Sequence, residues 1–204
     1  SQLFLYNAFI ILSNGIESRI GSVTGKYQHF HEWKRITEDD EGIVALDRII
    51  LGVCDKKRFL DLFENFILFD TSLGKAVKLI ARNHQFIGVN KAIENIQHKN
   101  NLYQLGKISL EEKQKLGVFW HTQGSGKSLT MVMLAQSIAL EKSIRNPKII
   151  LVTDRTDLDA QITGTFRKCG KFVENATTGQ RLIELLESKS DAVVTTIINK
   201  FVAA

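Results

Sequence analysis

The sequence predicts an α/β protein, and three features of the chain lead to that class. Two apolar runs, Lys148–Thr153 and Ala192–Thr196, are rich in β-branched residues, and segments with helical spacing separate them. A third apolar run, Val118–His121, is followed by a glycine-rich turn and then by an apolar helix from Ser128 to Glu141. Continuous apolar strands that alternate with helices indicate a parallel sheet covered on both faces.

The N-terminal segment predicts a β-hairpin. Ala8–Leu12 is an apolar strand, Asn14-Gly15 is typical of a turn with positive φ, and Ile16–Ile20 alternates back. No partner strand is evident nearby, and an isolated hairpin is marginally stable in water. We therefore expect this hairpin to complete a sheet that begins upstream.

Two helices and a boundary are predicted next. Apolar residues recur at helical spacing from Ile43 to Val53 and again from Lys56 to Ile67. The pattern breaks at Phe69–Ser72, so we place a domain boundary at about 72–75.

Beyond the boundary, helices and strands alternate. Asn83-His84-Gln85 precedes a run with helical spacing, and the apolar strand Val118–His121 follows. Two further helices are predicted between the last two strands, at about Leu158–Phe166 and Gln180–Glu187.

Composition excludes some classes of protein. The 204 residues include 27 Lys and Arg against 22 Asp and Glu, a net charge of +5 that is compatible with a polyanionic partner without establishing one. Two distant cysteines, Cys54 and Cys169, indicate reduced thiols in a cytoplasmic protein. No stretch approaches the roughly 20 apolar residues that span a bilayer, so no membrane partner is predicted. The start, which has no Met and no basic segment before its apolar run, suggests a fragment of a longer chain.

The segment Gln123–Ser128 has the composition of a phosphate-binding loop for a nucleoside triphosphate. Gly124 and Gly126 let the backbone curl so that successive N–H groups point at one anion. Lys127 can reach the β- and γ-phosphates, and the Ser128 hydroxyl can ligate Mg²⁺. ATP and Mg²⁺ are therefore the predicted cofactors.

One position departs from the strict pattern, because His121 stands where a glycine is usual. We expect His121 to pack at the strand end and to have no catalytic role. A glycine-rich turn that binds no ligand remains the alternative for the whole segment.

Three phrases resemble motifs of the restriction subunit of type I restriction-modification enzymes, which are superfamily 2 helicase-like translocases. Trp120–Met131 is similar to motif I, Leu151–Gln161 to motif Ia, and Val194–Phe201 to the phrase before the acidic motif. The segments Tyr6–Gly15, Gly21-Ser22 and Phe30–Lys34 also resemble the family's region after the nuclease centre. The matches occur in the family's order along almost the whole chain.

The resemblance implies roles for individual residues. Nucleotide binding would fall to the loop and to one adenine-reading glutamine, and DNA contact to two strand ends; Lys127 and Ser128 would be catalytic. The nucleotide residues are Thr122, Gln123, Gly124, Ser125, Gly126, Lys127, Ser128, Leu129 and Gln85; the DNA residues are Thr153, Arg155, Thr156, Thr195, Thr196 and Lys200. For Gln85 the alternative is a glutamine on a helix surface. For Thr153, Arg155 and Thr156 it is a solvated helix start, with Asp157 capping the next helix, and for Thr195, Thr196 and Lys200 it is packing at the edge of a strand.

The resemblance also implies an architecture. Residues 1–74 would be the C-terminal part of a nuclease-type α/β domain, and residues 75–204 the N-terminal part of the first RecA-like motor domain. The parent would pump double-stranded DNA, cleave it away from the recognition site, and assemble with methyltransferase and specificity subunits. We expect the nuclease residues before Ser1 and the acidic ATPase motif after Ala204, and hence negligible turnover by this segment alone. Another P-loop ATPase or helicase and a non-catalytic nucleotide-binding module stay open as rivals.

Overall fold

A computed structural model describes residues 6–72, 74–188 and 192–203. Within these ranges the helices are α1 (Leu46–Val53), α2 (Lys56–Asn65), α3 (Asn83–Gln104), α4 (Leu110–Gln114), α5 (Lys127–Leu140), α6 (Thr156–Lys168) and α7 (Gly179–Glu187). The strands are β1 (Ile10–Ser13), β2 (Ser18–Gly21), β3 (His31–Glu32), β4 (Ile67–Asp70), β5 (Val77–Ile80), β6 (Ile150–Thr153), β7 (Val173–Ala176) and β8 (Val193–Ile197). The protein is therefore mixed α/β, as its sequence predicts.

The predicted N-terminal hairpin is confirmed. β1 and β2 are antiparallel, with Ser13 opposite Ser18, and Gly15 takes a φ of 91° in the turn. The Asn14 side chain accepts hydrogen bonds from the backbone N–H groups of Ile16 and Glu17 at 3.0 and 2.7 Å. We expected a partner strand upstream of the hairpin, but β3, which follows it in the chain, pairs with β2. β3 has only two residues and is too short to show an alternating pattern.

The two predicted helices are present but shorter than expected. α1 begins at Leu46 instead of Ile43. α2 begins after Asp55, whose carboxylate accepts from the N–H groups of Lys57 and Arg58 at 3.1 and 3.2 Å and so caps the helix. It ends at Asn65 because Ile67 already belongs to a strand.

A second hairpin was not predicted from the sequence: β4 and β5 are antiparallel and pair Ile67 with Ile80. The predicted boundary at 72–75 falls in the turn of this hairpin, and Leu73 lies outside the described residues. One hydrophobic core contains residues from both sides of that turn, among them Trp33, Phe66 and Phe86. The division into two domains at residue 74 stays a prediction.

The C-terminal half contains the predicted parallel sheet. Its strand order is β6-β8-β7, and β8 pairs in parallel with both neighbours. β7 was not predicted, because Val173–Ala176 contains Glu and Asn and is not a continuous apolar run. The carboxyl ends of all three strands lie on one edge, beside the start of α6.

The prediction of a strand at Val118–His121 is wrong, because these residues are not in a strand. A strand needs a neighbour for its N–H and C=O groups, and none pairs with this segment within the described ranges. Val118 and Trp120 are 88% and 91% exposed. Side chains of α3 hold the preceding turn instead, Asn95 to the Leu116 carbonyl and Lys99 to that of Lys115.

Aromatic packing in the core fixes α3 in place. The ring of Phe86, on the first turns of α3, lies 5.4 Å from that of Trp33 and 4.7 Å from that of Phe66, measured between ring centres. α5 packs beside α3 through Val132 and Met133, both fully buried. This packing brings the amino ends of two helices together. No helix in the described part of the chain is long and apolar enough to cross a bilayer.

Candidate functional site

The glycine-rich loop before α5 has a backbone conformation that only glycine adopts readily. Gly124 and Gly126 have φ angles of 76° and 91°, both in the left-handed region. Around Gly124 a Cβ atom would meet nothing within 4 Å, so the glycine is required there by its backbone angle and not by lack of space. Gly126 is the residue that caps the amino end of α5.

The carbonyl of Thr122 ties the loop together. It accepts hydrogen bonds from the Ser125 backbone N–H at 3.3 Å, the Ser125 hydroxyl at 2.7 Å and the Lys127 ammonium at 3.0 Å. Lys127 is exposed and folds back over the loop that precedes it. Its charge therefore lies over the curled backbone, where it adds to the field of the loop's N–H groups.

The amino end of α5 adds a second source of positive potential. α5 has 14 residues, and its first turn contains no acidic side chain. The first N–H groups of a helix have no partner inside the helix, and its macrodipole places partial positive charge there. Loop, lysine and helix end thus converge on one surface that suits a phosphate chain.

Gln85 lies under the loop and is 2% exposed. Its amide nitrogen donates to the Gly126 carbonyl at 3.1 Å and to the Thr130 hydroxyl at 3.2 Å, and its amide oxygen accepts from the Arg82 N–H at 2.8 Å. The surface role that was the alternative is therefore wrong. Adenine reading stays a prediction, and it would require Gln85 to exchange bonds that it already makes.

Two histidines contact each other beside the loop. The rings of His84 and His121 are 4.8 Å apart in an edge-to-face arrangement, and Nε2 of His84 lies 3.2 Å from the Ser125 carbonyl oxygen. Burial lowers the pKa of His84 most, and that of His121 is lowered by burial and then by the Lys127 charge. A lowered pKa leaves both rings neutral at pH 7. His121 packs against the rings of His84 and Phe119, and not at a strand end as expected, because residues 118–121 form no strand.

The residues present fit ATP better than they fit a complete magnesium site. Ser128 supplies one hydroxyl in the first turn of α5, and the described residues contain no group of three His, Cys, Asp or Glu side chains that could hold a metal. Magnesium prefers several oxygen ligands and keeps waters. Ser128 could thus contribute one ligand to an ion that the phosphates also hold.

Three of the predicted DNA-binding threonines are buried, which corrects that prediction. Thr153, Thr195 and Thr196 are 7%, 0% and 1% exposed. The Thr195 hydroxyl pairs with that of Thr163 at 3.0 Å, and the Thr196 hydroxyl donates to the Ala176 carbonyl at 3.2 Å. The Thr153 hydroxyl donates to the Arg155 carbonyl at 3.3 Å. For Thr195 and Thr196 the alternative of packing within the protein fits the structure, because a side chain without exposed surface cannot contact a DNA phosphate.

The other predicted DNA residues lie at the surface. Arg155 and Thr156 are exposed and Lys200 is partly exposed. The guanidinium of Arg155 makes two bonds to the Asp157 carboxylate, at 3.1 and 2.6 Å, and this contact lowers the pKa of Asp157. The N-cap position of α6 is Arg155, whose side chain makes no capping hydrogen bond, and Asp157 lies in the first turn of the helix. The alternative that placed Asp157 as the cap is therefore wrong.

A buried polar cluster behind these strand ends was not predicted. The Asn175 amide donates to the Asp159 carboxylate at 2.6 Å and to the Thr195 hydroxyl at 2.9 Å. The cluster links β7, β8 and α6. The adjacent polar residues Glu174 and Asn175 were the only sequence signal for it, and they form no recognisable motif.

Comparison with known proteins defines the class. Residues 84–204, more than half of the chain, match the family model for the SWI2/SNF2 ATPase. The matched part contains the glycine-rich loop before α5, α5 itself and the parallel sheet. The chain therefore belongs to the SWI2/SNF2 ATPase family.

Particular relatives narrow the comparison. The chain is 36% identical over 98% of its length to a type I restriction enzyme HindI endonuclease subunit from Haemophilus influenzae. It is 28% identical, also over 98% of its length, to a putative type I restriction enzyme MjaIXP endonuclease subunit from Methanocaldococcus jannaschii. These alignments cover 19% and 20% of the two relatives. The resemblance to type I restriction subunits is thus confirmed, and the chain spans about a fifth of the curated relatives it matches.

Proposed function

We propose that this chain is the ATP-binding part of the DNA-translocating endonuclease subunit of a type I restriction enzyme. The observation that carries the proposal is the loop itself, with two left-handed glycines and Lys127 folded over it at the amino end of α5. Membership of the SWI2/SNF2 ATPase family and the names of the relatives support it. Residues 1–74 then belong to a nuclease-type domain, and residues 75–204 to a RecA-like motor domain.

The loop residues divide the work of binding. The N–H groups of the loop and of the first turn of α5 hold the phosphate chain, and Lys127 neutralises charge that develops on it. Thr122, Gln123 and Ser125 shape the loop, and Leu129 anchors α5 behind it. Magnesium supplies Lewis-acid charge when bound, and Ser128 is the hydroxyl that this chain offers to it.

DNA contact in this proposal depends on the exposed residues only. Arg155, Thr156 and Lys200 lie at or next to the carboxyl edge of the parallel sheet. A guanidinium and a hydroxyl there suit phosphate oxygens. We further propose duplex DNA and the methyltransferase and specificity subunits as partners in the cytoplasm. Translocation and distant cleavage belong to the whole subunit.

Calorimetric titration with Mg·ATP tests nucleotide binding. Lys127→Ala removes the ammonium over the loop, and we expect it to weaken binding at least tenfold, since charge-assisted hydrogen bonds contribute about 1.5–3 kcal/mol. Lys142→Ala is the matched control, because Lys142 is an exposed lysine just beyond the other end of α5. If the two variants bound Mg·ATP with equal affinity, the loop would not be the nucleotide site.

Duplex binding separates a DNA motor from a P-loop enzyme that acts on a small substrate. For the motor, log K falls linearly with log salt, by about 0.9 for each phosphate contacted. Fluorescence anisotropy with a labelled duplex between low and physiological salt measures that slope. ATP binding without any salt-sensitive duplex binding would favour the small-substrate enzyme or the nucleotide-binding module.

A further inference from the structure

The first turn of α3 contacts two consecutive carbonyls of the phosphate loop. His84 lies at hydrogen-bond distance from the Ser125 carbonyl, and Gln85 donates to the Gly126 carbonyl. The sequence motif of the loop contains neither side chain, and α3 begins some 40 residues before it. The contact of Gln85 is one of several at Gly126, whereas His84 is the only described side chain outside the loop that bonds the Ser125 carbonyl.

The direction of a carbonyl fixes the direction of the next N–H. In a trans peptide unit the C=O of one residue and the N–H of the following residue point in opposite directions. A Ser125 carbonyl turned toward α3 therefore turns the Gly126 N–H away from α3. The Gly126 carbonyl is held by Gln85 and by Thr130, so the Lys127 N–H is turned outward in the same way.

We infer that His84 is a positioning residue of the phosphate loop, which acts by donating from Nε2 to the Ser125 carbonyl and so aims the Gly126 N–H at the phosphate chain. The inference rests on the proposed nucleotide binding. Because the acceptor is a carbonyl, Nε2 must carry the proton, and the neutral ring must be the Nε2–H tautomer.

The surroundings of His84 support a fixed ring orientation. His121 lies against one edge of the ring, and His121 in turn packs near Gly88 on the next turn of α3, where an added Cβ would come within 4.0 Å of its Nε2. Partial desolvation lowers the pKa of both rings, while one side of the His84 ring stays exposed to solvent. A neutral imidazole held between α3 and the loop can set the loop's geometry without repelling Lys127.

Three variants test the inference with Mg·ATP and with magnesium tripolyphosphate as probes. His84→Leu keeps the approximate volume and removes the donor, so both probes should bind roughly five- to tenfold more weakly, the usual effect of one hydrogen bond. His84→Gln returns an N–H near the Nε2 position and should restore affinity to within about twofold of the wild type. His98→Leu, an exposed histidine on the same helix, is the matched control and should change nothing.

The outcomes are distinct. If the wild type binds neither Mg·ATP nor magnesium tripolyphosphate, the proposed function and the inference are both wrong. If the wild type binds but His84→Leu binds equally well, or His84→Gln binds as weakly as His84→Leu, only the inference falls. A loss confined to Mg·ATP would overturn it too, because a positioning role acts on phosphate and not on the base.

A measurement on the wild type covers the case in which His84→Leu does not fold. Imidazole ¹⁵N chemical shifts report which ring nitrogen carries the proton. We expect the Nε2–H tautomer for His84 at pH 7.5. The Nδ1–H tautomer would overturn the inference, because that ring cannot donate to the Ser125 carbonyl.

Discussion

The phosphate loop and the carboxyl edge of the parallel sheet were both identified from short sequence motifs, yet they differ in what the motif determines. In the loop, Gly124 and Gly126 have positive φ angles that the motif requires, and the groups proposed to bind phosphate are mostly backbone N–H groups. At the sheet edge the functional groups were taken to be side chains, and half of the six predicted residues are buried. A motif whose chemistry resides in the backbone therefore predicts geometry more directly than one whose chemistry resides in side chains.

The difference has a physical origin. A glycine with positive φ is a local property of the chain, since other residues resist that angle. The direction of a threonine side chain depends on which face of the strand is covered, and that depends on helices elsewhere in the sequence. Thr195 and Thr196 follow each other in β8, and both are buried because the sheet is covered on both faces.

Gly126→Ala should give the largest effect and tests the backbone argument for the loop. Its φ of 91° is unfavourable for alanine, and the new Cβ would lie 2.9 Å from the Gln85 amide nitrogen. We expect Mg·ATP affinity to fall by roughly 10- to 100-fold, because strain of about 1–2 kcal/mol adds to a lost hydrogen bond.

Gly124→Ala is the control for that variant. It has a similar strained angle, but its Cβ would meet no atom within 4 Å. The affinity difference between the two alanine variants, measured by calorimetry, isolates the contact with Gln85. Indistinguishable affinities would mean that the angle alone matters and that Gln85 is dispensable.

Thr195→Val tests the buried side of the sheet edge. The substitution keeps the shape but leaves the Asn175 amide and the Thr163 hydroxyl short of a partner. We expect a loss of about 1–3 kcal/mol in the free energy of unfolding, measured by urea denaturation, with duplex affinity unchanged.

Thr156→Val is the matched substitution on the exposed side. Thr156 begins α6 at the surface, so its stability should change by less than about 0.5 kcal/mol, and its duplex affinity should fall. If Thr195→Val weakened duplex binding in fully folded protein, the conclusion that the buried Thr195 does not contact DNA would be wrong.

Much of the fold was within reach of the sequence, and the missing parts share a cause. The helical spacing of apolar residues and the β-branched runs predicted α5, β6, α6, α7 and β8 to within a few residues of their observed ends. The short strands β3 and β7 and the hairpin of β4 and β5 were missed because pairing partners, not local composition, make them strands. The same dependence on partners explains the opposite error at Val118–His121, which has strand composition but no neighbour in the described residues.

Asp157→Asn should raise the affinity for duplex DNA, by a smaller factor than the loss of Mg·ATP affinity expected for Gly126→Ala. Asp157 holds the Arg155 guanidinium with two bonds, and without its charge Arg155 is free to pair with a phosphate. We expect roughly a two- to fivefold gain at low salt, as for a single exposed ion pair. Asp154→Asn removes the same charge from a neighbour that does not bond Arg155, so anisotropy should show a smaller gain; equal gains would mean that net charge alone is responsible.

Acidification should separate the two regions by their titratable groups. Near the start of α3, burial and then Arg82 lower the pKa of His31 to about 4, and burial lowers that of His84 and His121. A histidine whose folded-state pKa lies below its unfolded value of about 6.5 binds fewer protons in the folded state. Stability is therefore fully present above about pH 6.5 and is lost as the pH falls toward 4. Urea denaturation at pH 7.5 and 5.0 should show this loss in the wild type and a smaller one in His31→Gln, whereas Thr195→Val should lose as much as the wild type, because Thr195 does not titrate.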